Sequence, residues 1–186
     1  MKNGFVCPHC KAVIDERRTA MLTPKEKAEE VLRENNLSKV PIDVVSLAQR
    51  YGFSVELNNQ LLSNVKGRME IDPAKQRKSI EIGPAAKNYE KSREVIAHEL
   101  GHYFIHYRDS QKAEFRSDDT NDVQERESDE FARTLLMPEV NTKKAFQFYE
   151  KNQERRAEMI GAICGLFAVS EDFVKKRMEE LKIALV

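Results

Sequence analysis

Val95-Ile96-Ala97-His98-Glu99-Leu100-Gly101-His102 sets two histidines four positions apart, with a glutamate directly after the first. On an α-helix, residues four apart lie on one face, about one turn from each other. His98 and His102 can therefore close on a single divalent cation through their imidazoles. Glu99, beside His98, brings a carboxylate within reach of a water on that cation and can take its proton. The plain alternative is a chance match on an amphipathic helix, and only context can decide between the two. Here the context agrees, because the run from Asn88 to Tyr107 reads as one helix.

Working outward from this helix, the hydrophobic period changes upstream. Phe53, Val55 and Leu57 alternate with polar residues, as do Ile80 and Ile82, with Met69 and Ile71 between them. This predicts three short antiparallel strands, roughly 53–57, 65–71 and 78–82, with turn chemistry at Asn58-Asn59 and Asp72-Pro73. Further upstream, Thr23-Pro24-Lys25-Glu26 supplies an N-cap, a proline at the first helical position and an acid at the third, starting a helix to about Asn36. A second helix is expected from Pro41 to a left-handed cap at Gly52, its inner face carrying Val44, Leu47 and Ala48. Downstream, helices are expected at 122–136, 139–150, 154–168 and 171–182, with a polar loop from Asp109 to Asn121 beside the histidines. The fold class is α+β: a small three-stranded antiparallel sheet packed on a mainly helical, zincin-like body, with a helical C-terminal part. The expected division is an N-terminal C-x-x-C segment, 1–22, and a metallopeptidase domain, 23–186, whose last stretch, about 154–186, is helix-turn-helix-like.

Composition sets outer bounds. The chain has 186 residues, 40% hydrophobic and 33% charged, which suits one globular domain with a small appendage. Lys+Arg and Asp+Glu are both 31, so no overall basic footprint points to nucleic acid as the main partner. No apolar run is long enough to span a bilayer, and Met1 to Pro8 lacks the apolar stretch of a secretory signal. Three cysteines, two of them in a C-x-x-C, fit a reducing compartment rather than a disulfide framework. These features together predict a cytoplasmic protein without a membrane association.

Two imidazoles do not complete a catalytic zinc site, which needs a third protein ligand and an open position for water. Metzincins place a third histidine ten residues after the first, but Arg108 stands there. His106 continues the histidine face, yet rigid steps along a straight helix make it hard for three imidazoles to reach one ion. It is read as a group supporting the metal ligands or a polar contact at the helix end, with a structural histidine as the equal alternative. The better source is a carboxylate from the helix 122–136, which offers Asp122, Glu125, Glu127, Asp129 and Glu130. Val123, Glu127 and Phe131 lie at i, i+4 and i+8, so Glu127 interrupts an apolar stripe. Burying an unpaired carboxylate is costly, and coordinating a cation relieves that cost. Glu127 is therefore the expected ligand, with Asp129 or Glu130 as fallbacks and Glu125 in a supporting position on a neighbouring face.

At this point the residues resemble a known family. His98-Glu99-Leu100-Gly101-His102-Tyr103-Phe104-Ile105-His106 resembles the active helix of the ImmA/IrrE metallo-endopeptidases. Glu127-Ser128-Asp129-Glu130-Phe131-Ala132-Arg133-Thr134-Leu135-Leu136-Met137-Pro138 resembles their second block, usually E-A-N-x-F-A-x-x-L-L-M-P, with Ser128 and Asp129 as mild departures. More loosely, the similarity runs from about Pro41 to Leu181. The resemblance implies a Zn²⁺ peptidase with two histidines and a glutamate as ligands. It further implies that a partner helix-turn-helix transcriptional repressor is cut to relieve repression in a stress response or a mobile element such as a prophage. A non-catalytic regulator that binds a repressor or DNA is the alternative, and a toxin paired with an antitoxin is a third. Retention of His98, Glu99 and His102 favours catalysis, because a scaffold needs none of them.

The two ends stand apart. Cys7-Pro8-His9-Cys10 reads as half of a zinc-binding knuckle, as a dithiol redox pair or as two ordinary cysteines. As a zinc half-site, Cys7 and Cys10 need two more ligands, which a second copy of the chain could supply in a zinc-bridged dimer. At the other end, Lys175, Lys176 and Arg177 lie on the last helix, but Glu171, Asp172, Glu179 and Glu180 surround them. Packing of that helix on the peptidase core is expected over direct DNA binding.

Overall fold

A computed structural model describes residues 5–6, 13–14, 22–72, 74–107, 115–116, 121–152 and 156–184. Cys7 and Cys10 lie outside the described residues, as does most of the loop before Asn121. Near the N-terminus, β1 (Phe5–Val6) pairs antiparallel with β2 (Val13–Ile14).

The predicted helix start at Thr23 forms as a capping box. The Thr23 hydroxyl accepts from the Glu26 N–H, and the Glu26 carboxylate accepts from the Thr23 N–H. From there α1 (Pro24–Glu34) buries Ala28, Val31 and Leu32 against the later helix α4 (Asp122–Leu136). Next, α2 (Val44–Arg50) begins three residues after the expected Pro41, because the Asp43 carboxylate caps it by accepting from the Ser46 N–H at 3.0 Å. Val44, Leu47 and Ala48 face inward as anticipated, and Gly52 ends the turn with φ +85°.

Three longer strands follow: β3 (Ser54–Leu57), β4 (Gly67–Asp72) and β5 (Arg77–Ile82). Their positions match the alternation in the sequence, but the sheet is mixed rather than antiparallel. β4 and β5 form an antiparallel hairpin, and β5 then inserts beside β3 and runs parallel to it. The long connection 58–66 makes this order available, since it lets the chain step across the place that β5 later fills. A two-residue strand, β6 (Phe115–Arg116), pairs with β4 at Glu70 and Ile71. Met69, Ile71, Ile80 and Ile82 share the inner face and are buried. On the outer face Glu81 accepts from Asn58 and Arg68, at 3.0 and 2.9 Å.

Against the inner face lies α3 (Tyr89–Gly101), capped by Asn88 and continuing as wider π-helical turns from His102 to Tyr107. The histidine motif thus straddles the junction between two helical forms, a placement common for functional residues. The widened turns bury both Tyr103 and Phe104. Tyr103 packs edge-on to Phe53, and Phe104 packs against Tyr51 and Phe131. Tyr103 accordingly points into the core, as its position next to His102 suggests.

The second sequence block becomes α4, capped by Asn121 with Gln124 completing a capping box. Leu135, Leu136 and Met137 are fully buried, and Pro138 opens α5 (Glu139–Lys151). Two further helices, α6 (Arg156–Phe167) and α7 (Glu171–Leu181), close the structure. Buried arginines dock this pair. Arg93 of α3 donates to the Ala168 carbonyl between α6 and α7 and to the Ile42 carbonyl before α2, at 3.0 and 2.7 Å. Arg177 of α7 donates to the Met137 carbonyl at 3.0 Å. Of the three basic residues on α7, then, Arg177 is buried, Lys175 pairs with Glu171 at 2.7 Å and Lys176 lines the cleft described below. The helix packs on the body, as its charge pattern predicts. No helix among the described residues is long and apolar enough to cross a membrane.

Candidate metal centre and cleft

Two glycines decide how closely the elements of the site approach. A Cβ on Gly101 would lie 2.8 Å from Ser128 Cα, so only glycine lets α3 and α4 cross at this separation. Ser128 is itself small and fully buried at the crossing. On the other side, a Cβ on Gly67 would come 2.2 Å from Val95 Cγ1 and 3.7 Å from Glu99 Oε1. Gly67 therefore allows β4 to lie directly against the start of the motif.

The cleft between these elements encloses about 670 Å³. His98, Glu99 and His102 line it from α3, Glu125 and Asp129 from α4, Gly67 from β4 and Lys176 from α7. His102 is fully buried and Glu99 nearly so, at 4% exposure. Nε2 of His98 lies 3.0 Å from Nε2 of His102. The Glu125 carboxylate spans the pair, with Oε2 at 3.2 Å from His98 Nε2 and Oε1 at 3.2 Å from His102 Nε2. Two nitrogens and an oxygen around a zinc ion with bonds of about 2.0–2.1 Å would stand about 3.3–3.4 Å apart at tetrahedral angles. The donor set fits such an ion with little movement, and the open side of the cleft leaves room for a fourth ligand. Among the described residues, this is the one grouping of three histidine, cysteine or acidic side chains with metal-binding spacing.

The carboxylate that stands beside both histidines is Glu125, not the expected Glu127. Glu127 meets His106 instead, its Oε2 at 3.6 Å from His106 Nε2. The stripe argument misplaces it because the first turns of α4 overhang the core. Val123, the supposed start of the stripe, is 52% exposed, and the buried face begins only at Ser128. The relevant pattern is Glu125 and Asp129, four apart like His98 and His102, so that two faces of matching period oppose each other. His106 also lies 3.3 Å from the Gln124 carbonyl, a polar contact at the helix end as anticipated.

Asp129, a fallback ligand on sequence grounds, sits behind His98, with Oδ1 at 2.9 Å from Nδ1. The electrostatics follow from this placement. Burial pushes the His98 pKa down, but hydrogen bonds with Asp129 and Glu125 outweigh it and raise the value to about 10. At His102 burial and then the neighbouring His98 charge act together and lower it. Burial would raise the Asp129 pKa, but the His98 hydrogen bond outweighs this and lowers it to about 2. The two rings thus differ in preference, His98 favouring the protonated form and His102 the neutral one.

Comparison with known proteins agrees with the motif blocks. Curated proteins give no match to the chain. A family model, described as the IrrE N-terminal-like domain of the M78 peptidases, matches residues 48–179, a span that holds the sheet, both site helices and nearly all of α7. With most of its length inside that match, the chain belongs to the IrrE N-terminal-like peptidase family.

Proposed function

We propose that the chain is a zinc-dependent endopeptidase that cleaves a partner helix-turn-helix repressor, with His98, His102 and Glu125 as metal ligands and Glu99 as general base. The observation that carries this reading is the near-tetrahedral spacing of the three donor atoms, with the buried Glu99 beside them. Two histidines and a glutamate with an open fourth position form a familiar donor set for catalytic zinc. When bound, zinc supplies Lewis acidity, making water a competent nucleophile near neutral pH and polarising a carbonyl.

The chain's own groups account for the rest. Glu99, held in place by burial, accepts the proton of the attacking water and can return it to the leaving amine. Gly67 opens β4 against the cleft. An extended peptide lying in the cleft can present its scissile bond to the histidines. The repressor as substrate rests on the family resemblance of the two blocks.

The test is incubation of the zinc-loaded protein with the repressor encoded beside it, followed by mass spectrometry. A single internal cut, absent after chelation, supports the reading. An intact repressor, with peptide substrates equally untouched, removes it.

A further inference from the structure

We infer that Asp129 is a positioning residue for the metal centre and that a chain of ion pairs through Arg133 to Glu180 makes the C-terminal helix α7 part of that centre. The inference rests on the metal site proposed above. His98 can bind a cation through Nε2 only if Nδ1 carries its proton, and the Asp129 carboxylate, 2.9 Å away, accepts from it. That hydrogen bond fixes the tautomer and the ring's rotation and makes the ring a better donor to a cation. Asp129 is in turn held from behind. Its Oδ2 lies 3.4 Å from a guanidinium nitrogen of Arg133, one turn along α4. Arg133 Nε donates to Glu180 Oε1 on α7, and Glu180 Oε2 accepts from Arg177 at 3.0 Å. Arg177 is 2% exposed and anchored to the Met137 carbonyl, so the chain ends in a rigid buried group rather than in solvent.

Two features separate this arrangement from an incidental surface pair. Each carboxylate in the chain uses both oxygens on different partners: Asp129 on His98 and Arg133, Glu180 on Arg133 and Arg177. Such divided contacts fix orientation as well as position. Asp129 is also a carboxylate rather than a neutral amide. A carboxylate there gives His98 a charged acceptor, and a charged acceptor calls for the opposing Arg133.

The test measures zinc affinity by competition with a chromophoric chelator, on the full chain. Asp129→Ala should weaken zinc binding about 10–100-fold. Asp129→Asn, which keeps an acceptor without the charge, should recover part of that loss. Glu180→Gln, far from the ion, should weaken binding in the same direction but less. Nitrogen NMR of the His98 ring in the zinc-loaded protein should show a protonated Nδ1 in the wild type, with its resonance disturbed in Asp129→Ala. If Asp129→Ala does not fold, Asp129→Asn and Glu180→Gln carry the test. Wild-type affinity in both of those overturns the inference, and wild-type affinity in Glu180→Gln alone removes α7 from it. A wild-type chain that binds no zinc overturns the underlying metal site instead.

Discussion

Gly101 and Ser128 meet where α3 crosses α4, so closely that an added Cβ at Gly101 would fall 2.8 Å from Ser128 Cα and 2.9 Å from its carbonyl oxygen. The distance between the histidines on one helix and Glu125 on the other is set at this crossing. Because the obstructing atoms are backbone, a side chain at 101 cannot be accommodated by a rotamer change. Gly101→Ala should force the helices apart and cost about 1–3 kcal/mol of stability. It should also lower zinc affinity well beyond what the stability loss explains. Chemical denaturation and chelator competition on the same sample check both effects, and an unchanged zinc affinity would show that the crossing does not govern the site.

Glu125 and Glu127 are two residues apart on α4 and should respond oppositely. Glu125 bridges both imidazoles, whereas Glu127 meets His106. Glu125→Gln should therefore cost most of the zinc affinity, while Glu127→Gln leaves it within a few-fold of wild type. Metal content after dialysis against a weak chelator distinguishes them. The reverse pattern would return the third-ligand role to Glu127.

Glu99 is expected to act on the reaction and not on the metal. Glu99→Gln keeps the size of the side chain but loses the ability to accept a proton. Cleavage should fall by about 10²–10⁴-fold, with zinc content and circular dichroism unchanged. Undiminished cleavage would assign proton transfer to another group.

The three longer strands, the main helices and the histidine motif are legible in the sequence, because each leaves a local trace: alternation at Phe53 and Ile80, capping at Thr23, spacing at His98; the two-residue strands β1, β2 and β6 leave none. What was not legible depends on partners distant along the chain. Insertion of β5 between β3 and β4 follows from the reach of the 58–66 connection, and no residue pattern records it. Glu125 receives only a supporting position in the sequence reading because the stripe rule assumes a helix buried from its first turn, while α4 overhangs the cleft until Ser128. Nor does any local pattern mark Arg93 and Arg177 as buried donors to backbone carbonyls.

Arg93 accordingly gives a stability prediction. It is 5% exposed and holds carbonyls from two distant segments. Arg93→Met keeps the length and most of the packing but leaves both carbonyls without this donor. The loss should be about 2–4 kcal/mol, measured by urea unfolding of the metal-free protein. A change below about 1 kcal/mol would mean that water replaces the guanidinium at little cost.

Proton release on zinc binding reports directly on His98. In the metal-free protein its pKa is raised to about 10, while that of His102 is lowered. Near neutral pH the first ring is therefore protonated and the second neutral, and only the first must lose a proton to become a ligand. Zinc binding should release about one proton per ion, seen by calorimetry in buffers of different ionisation enthalpy. The sign for stability follows from the same shift. A folded-state value above the unfolded one, about 6.5, stabilises the metal-free fold fully below that pH. The contribution is lost as pH rises through about 10. Asp129→Asn weakens the hydrogen bond that does most to raise the His98 pKa, so it should reduce both the proton release and the alkaline loss of stability. Release of no proton by the wild type would mean that His98 is already neutral before the ion arrives, and the charge balance described for the cleft would then be wrong.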